Sequence, residues 1–482
     1  MHVRIITRFI AILILFLGLS MAGPLLVAFL FKDRSINALL FSLIITSVTG
    51  LILLVCTRNS ESSQLNHRDG VAVVTLGWIM ASLFGTLPYI LSGAIPDFTN
   101  AYFESISGFT TTGASILSDI EALPQGILFW RSLTQWLGGM GIIVLSIAIL
   151  PYLGIGGMQL YKAEIPSPVV DKLKPRISET AKTLWKVYLS FTLIEVILLL
   201  AGGMSVFDAV CNAFCTMPTG GFSTKNMSIA HYNSIYFDFV LMVFMLLAGI
   251  NFSLHYKLIK GDLRIFGKDV ECRVFLILVA VFVVLITVNI YGSVYNSIAQ
   301  AFRYAAFQVS SIITTTGFVS ADYETWPALS QLILLICMFL GAMAGSTGGG
   351  MKIMRIMLLA RHGYQQIFRV IHPHAVTTIK LGGRPVPEEI LSSIWGFFIL
   401  YLGIFVVASL IMASLGLDFI SSIGSVAASI GNIGPGLGVV GPERNYLCIP
   451  LLGKWVLISC MLLGRLEIYT VIALLAPAYW RK

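Results

Sequence analysis

The sequence predicts an all-α polytopic membrane protein with a fourfold internal repeat, and three observations carry that reading. Of its 482 residues 57% are hydrophobic and 11% charged, against about 25% charged in an ordinary soluble domain. Mean hydropathy is +0.88. Apolar runs of spanning length recur along the chain, since a hydrocarbon core of about 30 Å needs roughly 20 apolar residues per helix. A Gly-centred polar turn appears four times in the same apolar setting. A water-soluble fold is excluded. The seven cysteines (Cys56, Cys211, Cys215, Cys272, Cys337, Cys448 and Cys460) are odd in number and form no CxxC pair, so neither a disulfide framework nor a zinc site follows.

The N-terminal run from 5 to 31 begins with basic residues, like a signal peptide, but is too long for a signal core and shows no cleavage site. It is expected to be the first spanning helix. A second is expected from 36 to 56, giving an N-terminal unit over 1–69 with two transmembrane helices.

From residue 70 the chain repeats, with units expected at 70–165, 166–262, 263–385 and 386–482. Each holds a long apolar segment, a shorter amphipathic stretch, a polar turn and a second apolar segment. The paired segments fall near 71–95 and 126–153, 183–202 and 235–256, 273–291 and 328–362, and 390–415 and 453–476. The turns read TTTGA (110–114), PTGGF (218–222), TTTGF (314–318) and GNIGP (431–435). Their central glycines, Gly113, Gly221, Gly317 and Gly434, are separated by 108, 96 and 117 residues. A period of that length is too long for a solenoid and indicates duplicated membrane units.

The stretch before each turn, such as 101–109 or 421–429, is too short to cross a bilayer and reads as a re-entrant half-helix. Irregular backbone at membrane depth is tolerated only inside protein or beside a watery cavity. Four such turns therefore converge on one cavity, the plan of a pore. With both termini cytoplasmic, ten spans place 23 Lys and Arg against ten acids inside, Lys162, Lys172, Lys174, Arg176, Arg361 and Arg369 among them. Seven basic residues, including Arg131, Arg303 and Lys454, face eleven acids outside. That asymmetry fixes the orientation by the positive-inside rule and puts all four turns near an external mouth that attracts cations. The net charge of +8 thus belongs to the inner membrane face, and nucleic acid is not an expected partner.

A cation entering a bilayer needs oxygens in place of its water, and rings of backbone carbonyls from Thr/Gly-rich turns supply them. Glycine allows the backbone angles this requires, and each half-helix points the negative end of its dipole at the cavity. One such turn alone would be an ordinary loop; four in one context are not.

Seven motifs resemble the Trk/Ktr/HKT superfamily of potassium transporters, and within it the bacterial TrkH-type uptake subunit, over essentially the whole chain. They are SGFTTTGA (107–114), LGGMGIIVL (137–145), GIGGMQLY (154–161), GGFST (220–224), AGSTGGGMK (344–352), GPGLGVV (434–440) and GRLE (464–467). The resemblance implies four helix, pore-helix, helix units around a pseudo-fourfold pore, with filter glycines at Gly113, Gly221, Gly317 and Gly434. It implies ion-lining carbonyls at Thr111 and Thr112, Thr219 and Gly220, Thr315 and Thr316, and Asn432 and Ile433. Two departures stand out: Met217, Pro218 and Thr219 replace an aliphatic run, and Gly431 stands where Asn is usual. Pro218 removes a backbone N–H from the second turn. In plant relatives a serine in the first filter accompanies sodium transport; Gly113 at that position favours potassium.

GSTGGGMK (345–352) fails the phosphate-loop pattern, because Met351 separates Gly350 from Lys352 and an apolar helix precedes it. Gly345, Ser346, Thr347, Gly348, Gly349 and Gly350 form either a plain break between helices or, as the resemblance implies, an intramembrane gate. Arg465 sits about a dozen residues into the last span, where a charge is costly and faces a pathway or a partner; a structural ion pair with an acid such as Glu195 is the other reading. His372 and His374 lack the further ligands of a metal set, and no catalytic constellation is visible, so the chain is not expected to be an enzyme or to hold an organic cofactor. The expected function is potassium uptake across the bacterial inner membrane, with K+ as the transported ion. The alternative is a secondary transporter coupling sodium or protons to solute uptake, which would show more acids in broken mid-membrane helices. The resemblance further implies a homodimer and a cytosolic ring of nucleotide-binding RCK-type regulatory subunits.

Overall fold

The computed structural model describes residues 2–58, 67–139, 141, 177–375, 378–382 and 384–480. Among these, helices account for all regular structure except a two-stranded antiparallel hairpin pairing Lys380–Leu381 with Arg384–Pro385. Among the described residues, six helices are long and apolar enough to cross a membrane by themselves. Their outward faces carry exposed Leu51, Val55, Ile197, Val288, Ile399 and Leu410, while Ser and Thr crowd the interior at Ser107, Thr110, Ser310, Thr314, Ser425 and Ser429. Apolar outside and polar inside is the arrangement a protein in lipid requires around a hydrated centre.

The first 29-residue span consists of Val3–Ser20 and Ala22–Phe31, joined through Met21. It packs along Ile36–Cys56 where small residues let the backbones touch: a side chain on Gly18 would meet the Ser47 nitrogen at 2.9 Å, and one on Gly50 the Leu15 nitrogen at 2.8 Å.

Each repeat opens with a long helix, seen as the spans Arg68–Leu91, Ala181–Ala201, Val270–Ile290 and Glu388–Ser414. The pore helices follow as Phe98–Phe109, Val206–Thr216, Ile298–Ile313 and Phe419–Ile430. Twelve residues make about 18 Å of helix, which is too short to span. Three start on a side-chain cap: Asp97 accepts from the Asn100 N–H, Ser205 from Asp208 and Asp418 from Ser421.

The closing segments expected at 235–256 and 453–476 are bent rather than continuous, and the one at 328–362 is interrupted where the glycine-rich break is expected. Ile235–Gly249 turns by 102° into Phe252–Ile259, and Leu451–Arg465 by 119° into Tyr469–Leu475. The first break is restarted by Asn251, whose Oδ1 accepts from the Ser253 N–H at 2.8 Å. The last is made by Glu467 and Ile468, both at positive φ (54° and 53°). Between Ala328–Phe339 and Ile353–Ile371 lies the glycine-rich loop. The closing helix of the first repeat is described as Gln125–Gly139; the rest of the span expected at 126–153, the motif at 154–161, and Lys162, Lys172, Lys174 and Arg176 lie outside the described residues.

Candidate functional site: four turns and an intramembrane loop

The four turns share one backbone. Thr111, Thr219, Thr315 and Asn432 have φ of 52°, 59°, 60° and 54°, and two residues later Gly113, Gly221, Gly317 and Gly434 have 79°, 76°, 81° and 96°. Three Thr in the left-handed region, where a β-branched residue is a genuine outlier, mark strain the surroundings must hold. The N–H of the residue between them closes the pore helix by donating five positions back: Thr112 to Ser107 O, Gly220 to Cys215 O, Thr316 to Ser311 O and Ile433 to Ala428 O, at 2.8–2.9 Å. This is a Schellman-type ending. The turn's N–H groups are thereby spent on the helix.

The carbonyls form a closed ring. A side chain on Gly113 would strike Gly220 O at 2.0 Å, on Gly221 Thr316 O at 2.0 Å, on Gly317 Ile433 O at 1.8 Å, and on Gly434 Thr112 O at 2.7 Å. Each central glycine abuts the carbonyl of the next repeat, and the fourth returns to the first. The structure thus brings together the expected residues of all four turns. Pro218 leaves a gap: Thr110, Thr314 and Gly431 donate to Ile106, Ser310 and Ala427, a bond the second turn cannot make. Its bonds from Thr219 and Gly220 are intact.

Support behind the ring alternates. Hydroxyl pairs Thr110–Thr112 and Thr314–Thr316, both 2.8 Å, brace the first and third turns. Carboxamides brace the others: Gln135 bonds Gly220 O and the Phe222 N–H, and Asn432 Nδ2 donates to Thr112 Oγ1 and Met461 O, both at 2.9 Å.

Arg131, counted among the external charges, lies inside the protein rather than at its surface. It is 1% exposed, pairs with Glu104 at 2.8 Å, and donates to Ser223 O and Ser115 Oγ, tying the first turn to the second. Lys454, also counted on the external side, is buried on Asn100 Oδ1 and Leu447 O. A lone acid in the first half-helix, Glu104, was the available signal. Breaking a buried pair strands a charge at about 3–5 kcal/mol. Arg131→Met is therefore expected to lower the melting temperature in detergent markedly, and Arg131→Met with Glu104→Gln to recover part of it.

The loop between residues 340 and 352 lies directly beneath the ring. Its ends meet through Gly341 N–H to Met351 O at 2.7 Å. Glu271 Oε1 accepts from Ala344 and Met354 N–H groups at 2.8 and 3.1 Å, so one buried carboxylate holds both sides of the loop. Thr347 Oγ1 donates to Met217 O at 3.0 Å and Gly349 N–H to Thr315 Oγ1 at 2.7 Å. Lys352 Nζ donates to Gly348 O. Gly345 and Gly350, at φ 75° and 64°, allow the reversals.

Arg465 is the last residue of its helix rather than part of a continuing span. It donates to Thr111 Oγ1 (3.1 Å), Thr347 O (2.8 Å), Gly138 O (2.7 Å) and Gly139 O (3.1 Å), joining the first turn, the loop and the first repeat. Glu467, two residues on, is ion-paired with Arg355, which stacks over Phe397 at 4.1 Å. A cavity of about 120 Å³ remains between the loop, Trp78, Phe252 and the 464–467 break. Sequence reasoning missed Glu271, Gln135 and Arg355, none of which belongs to a motif.

Residues 35–482 match a family model described as TrkH, cation transport protein. The Trk system potassium uptake protein TrkH of Escherichia coli K12 is 42% identical over 487 residues, covering all of both chains. That of Halomonas elongata is 41% identical over 485 residues, again covering all of both. The crystal structure of the potassium transporter TrkH from Vibrio parahaemolyticus superposes with a TM-score of 0.89 at 38% identity, covering 100% of each chain.

Proposed function

Because this chain belongs to the TrkH family of cation transport proteins, we propose that its four turns are the selectivity filter of a potassium pathway and that the 345–350 loop with Arg465 is its gate. The protein is a multi-pass inner-membrane potassium uptake protein, not an enzyme, and K+ is its cargo. The closed ring of Thr112, Gly220, Thr316 and Ile433 carbonyls is the observation that carries the filter. Carbonyl oxygens at fixed spacing replace the hydration shell of a dehydrated cation, and four pore-helix C-termini add negative potential there. The lining positions are Thr111, Thr112 and Gly113, Thr219, Gly220 and Gly221, Thr315, Thr316 and Gly317, and Asn432, Ile433 and Gly434.

The gate reading rests on contact. Loop, ring and Arg465 share hydrogen bonds, so a shift of the loop frees or applies a positive charge directly under the filter. Ile353–Ile371 continues from the loop and exposes Tyr364 (71%), Ile367 (63%) and Val370 (82%) beside Arg361 and Arg369. That surface suits a cytosolic regulatory ring of RCK type acting on the gate, with N- and C-termini on the same side and the chain working as a homodimer.

Rubidium uptake into liposomes carrying the purified protein tests the function. Tenfold excess sodium is expected to leave uptake nearly unchanged and equimolar potassium to reduce it; equal competition by sodium sinks the reading.

A further inference from the structure

Three of the four turns carry a side chain just before the central glycine: Thr112, Thr316 and Ile433, all buried. The second turn has Gly220 there. The vacated space is taken by another repeat: a side chain built on Gly220 would lie 2.4 Å from Gln135 Cδ. Gln135 projects from Gln125–Gly139 and is fully buried. Its Nε2 donates to Gly220 O at 2.7 Å, and its Oε1 accepts from the Phe222 N–H at 3.1 Å. Gly220 O is the ring oxygen that faces Gly113.

We propose that Gln135 is a positioning residue that sets ion selectivity, holding the Gly220 carbonyl in the ring in place of the side chain the second turn lacks. The inference rests on the filter reading above. This turn lacks two ties that the first and third turns have: Pro218 deletes one helix bond, and Gly220 offers no hydroxyl for a pair like Thr110–Thr112 or Thr314–Thr316. A carbonyl oxygen has two lone pairs, so one can be fixed by the amide while the other remains for the ion. A carboxamide suits the place because it gives and accepts at once without charge. Without it, the Gly220–Gly221 peptide keeps the long bond from the Gly221 N–H to Cys215 O at 3.3 Å, and a glycine on either side restrains rotation of the carbonyl out of the ring least.

The test uses full-length protein in liposomes, reading rubidium uptake against sodium competition per folded molecule. Gln135→Ala is expected to lower rubidium preference about tenfold, the scale of one lost buried hydrogen bond. Gln135→Glu, which retains an acceptor for Phe222 but no donor for Gly220, is expected to lose selectivity as well. Gly220→Thr added to Gln135→Ala fills the space with a branched side chain and is expected to restore preference to within about threefold of the natural protein. Should Gln135→Ala select normally where Gly113→Ser does not, Gln135 is packing and the proposal falls. Normal selection by both variants removes the filter reading itself. A double variant no better than Gln135→Ala, or an unaffected Gln135→Glu, overturns the claim that the amide replaces a side chain and holds the carbonyl.

Discussion

Gly113→Ser is expected to reduce the preference for potassium over sodium by at least about tenfold, roughly 1.4 kcal/mol of discrimination, while the chain still folds and inserts. Two effects combine. At φ 79° an L-residue with a Cβ is disfavoured by about 1–2 kcal/mol. The added atom would also fall 2.0 Å from Gly220 O, so the neighbouring carbonyl must withdraw. Displaced by that much, it no longer replaces a water of a dehydrated potassium ion, and the wider opening admits hydrated sodium. The contacts grade the outcome. Gly221→Ala and Gly317→Ala, at 2.0 and 1.8 Å from Thr316 O and Ile433 O, are expected to be as severe; Gly434→Ala, with Thr112 O at 2.7 Å, milder. Sodium competition against rubidium uptake in liposomes measures all four. A Gly113→Ser protein of unchanged selectivity removes the filter assignment.

Arg465→Ala is expected to raise resting flux by up to about 30-fold. A fixed positive charge roughly 8 Å from the ion path, at an effective dielectric of about 20, opposes a cation by about 2 kcal/mol. Its contacts with Thr111 Oγ1 and Thr347 O put that charge between the first turn and the loop. Arg465→Lys keeps the charge and is expected to keep most of the block, although one ammonium cannot reproduce the planar fork that reaches Thr111, Thr347, Gly138 and Gly139 together. Uptake and melting temperature on the same purified variants separate barrier from brace: a destabilised Arg465→Ala with unchanged uptake per folded molecule shows that the arginine only ties the repeats.

Reading along the chain located the turns well because each carries its own instructions. A short helix, a polar residue that reverses the backbone and a glycine that reverses it again lie within one short stretch, as in 101–113, and the order repeats. The glycine-rich break after Phe339 was legible for the same reason. The last helix was not: Arg465, Leu466 and Glu467 lie in a continuous apolar stretch, and the turn of 119° comes from left-handed Glu467 and Ile468, residue types that give no such signal. Counting charge by position in sequence assigns Arg131 and Lys454 a side of the membrane but not their burial, which is decided by partners such as Glu104 and Asn100.

The sequence by itself determined the membrane class, the fourfold repeat, the positions of the four turns and of the intramembrane break, because composition, hydrophobic length and glycine placement are local properties. Only the tertiary structure decided what those pieces do to one another. It closed the ring from Gly113 through Gly434, seated Gln135 in the gap at Gly220, fastened the loop to Glu271, and brought Arg465 to Thr111 across 354 residues and Arg355 to Glu467 across 112. In a low-dielectric interior each buried polar group must find a partner. Chain order leaves that partner unspecified, and packing of the four repeats supplies it.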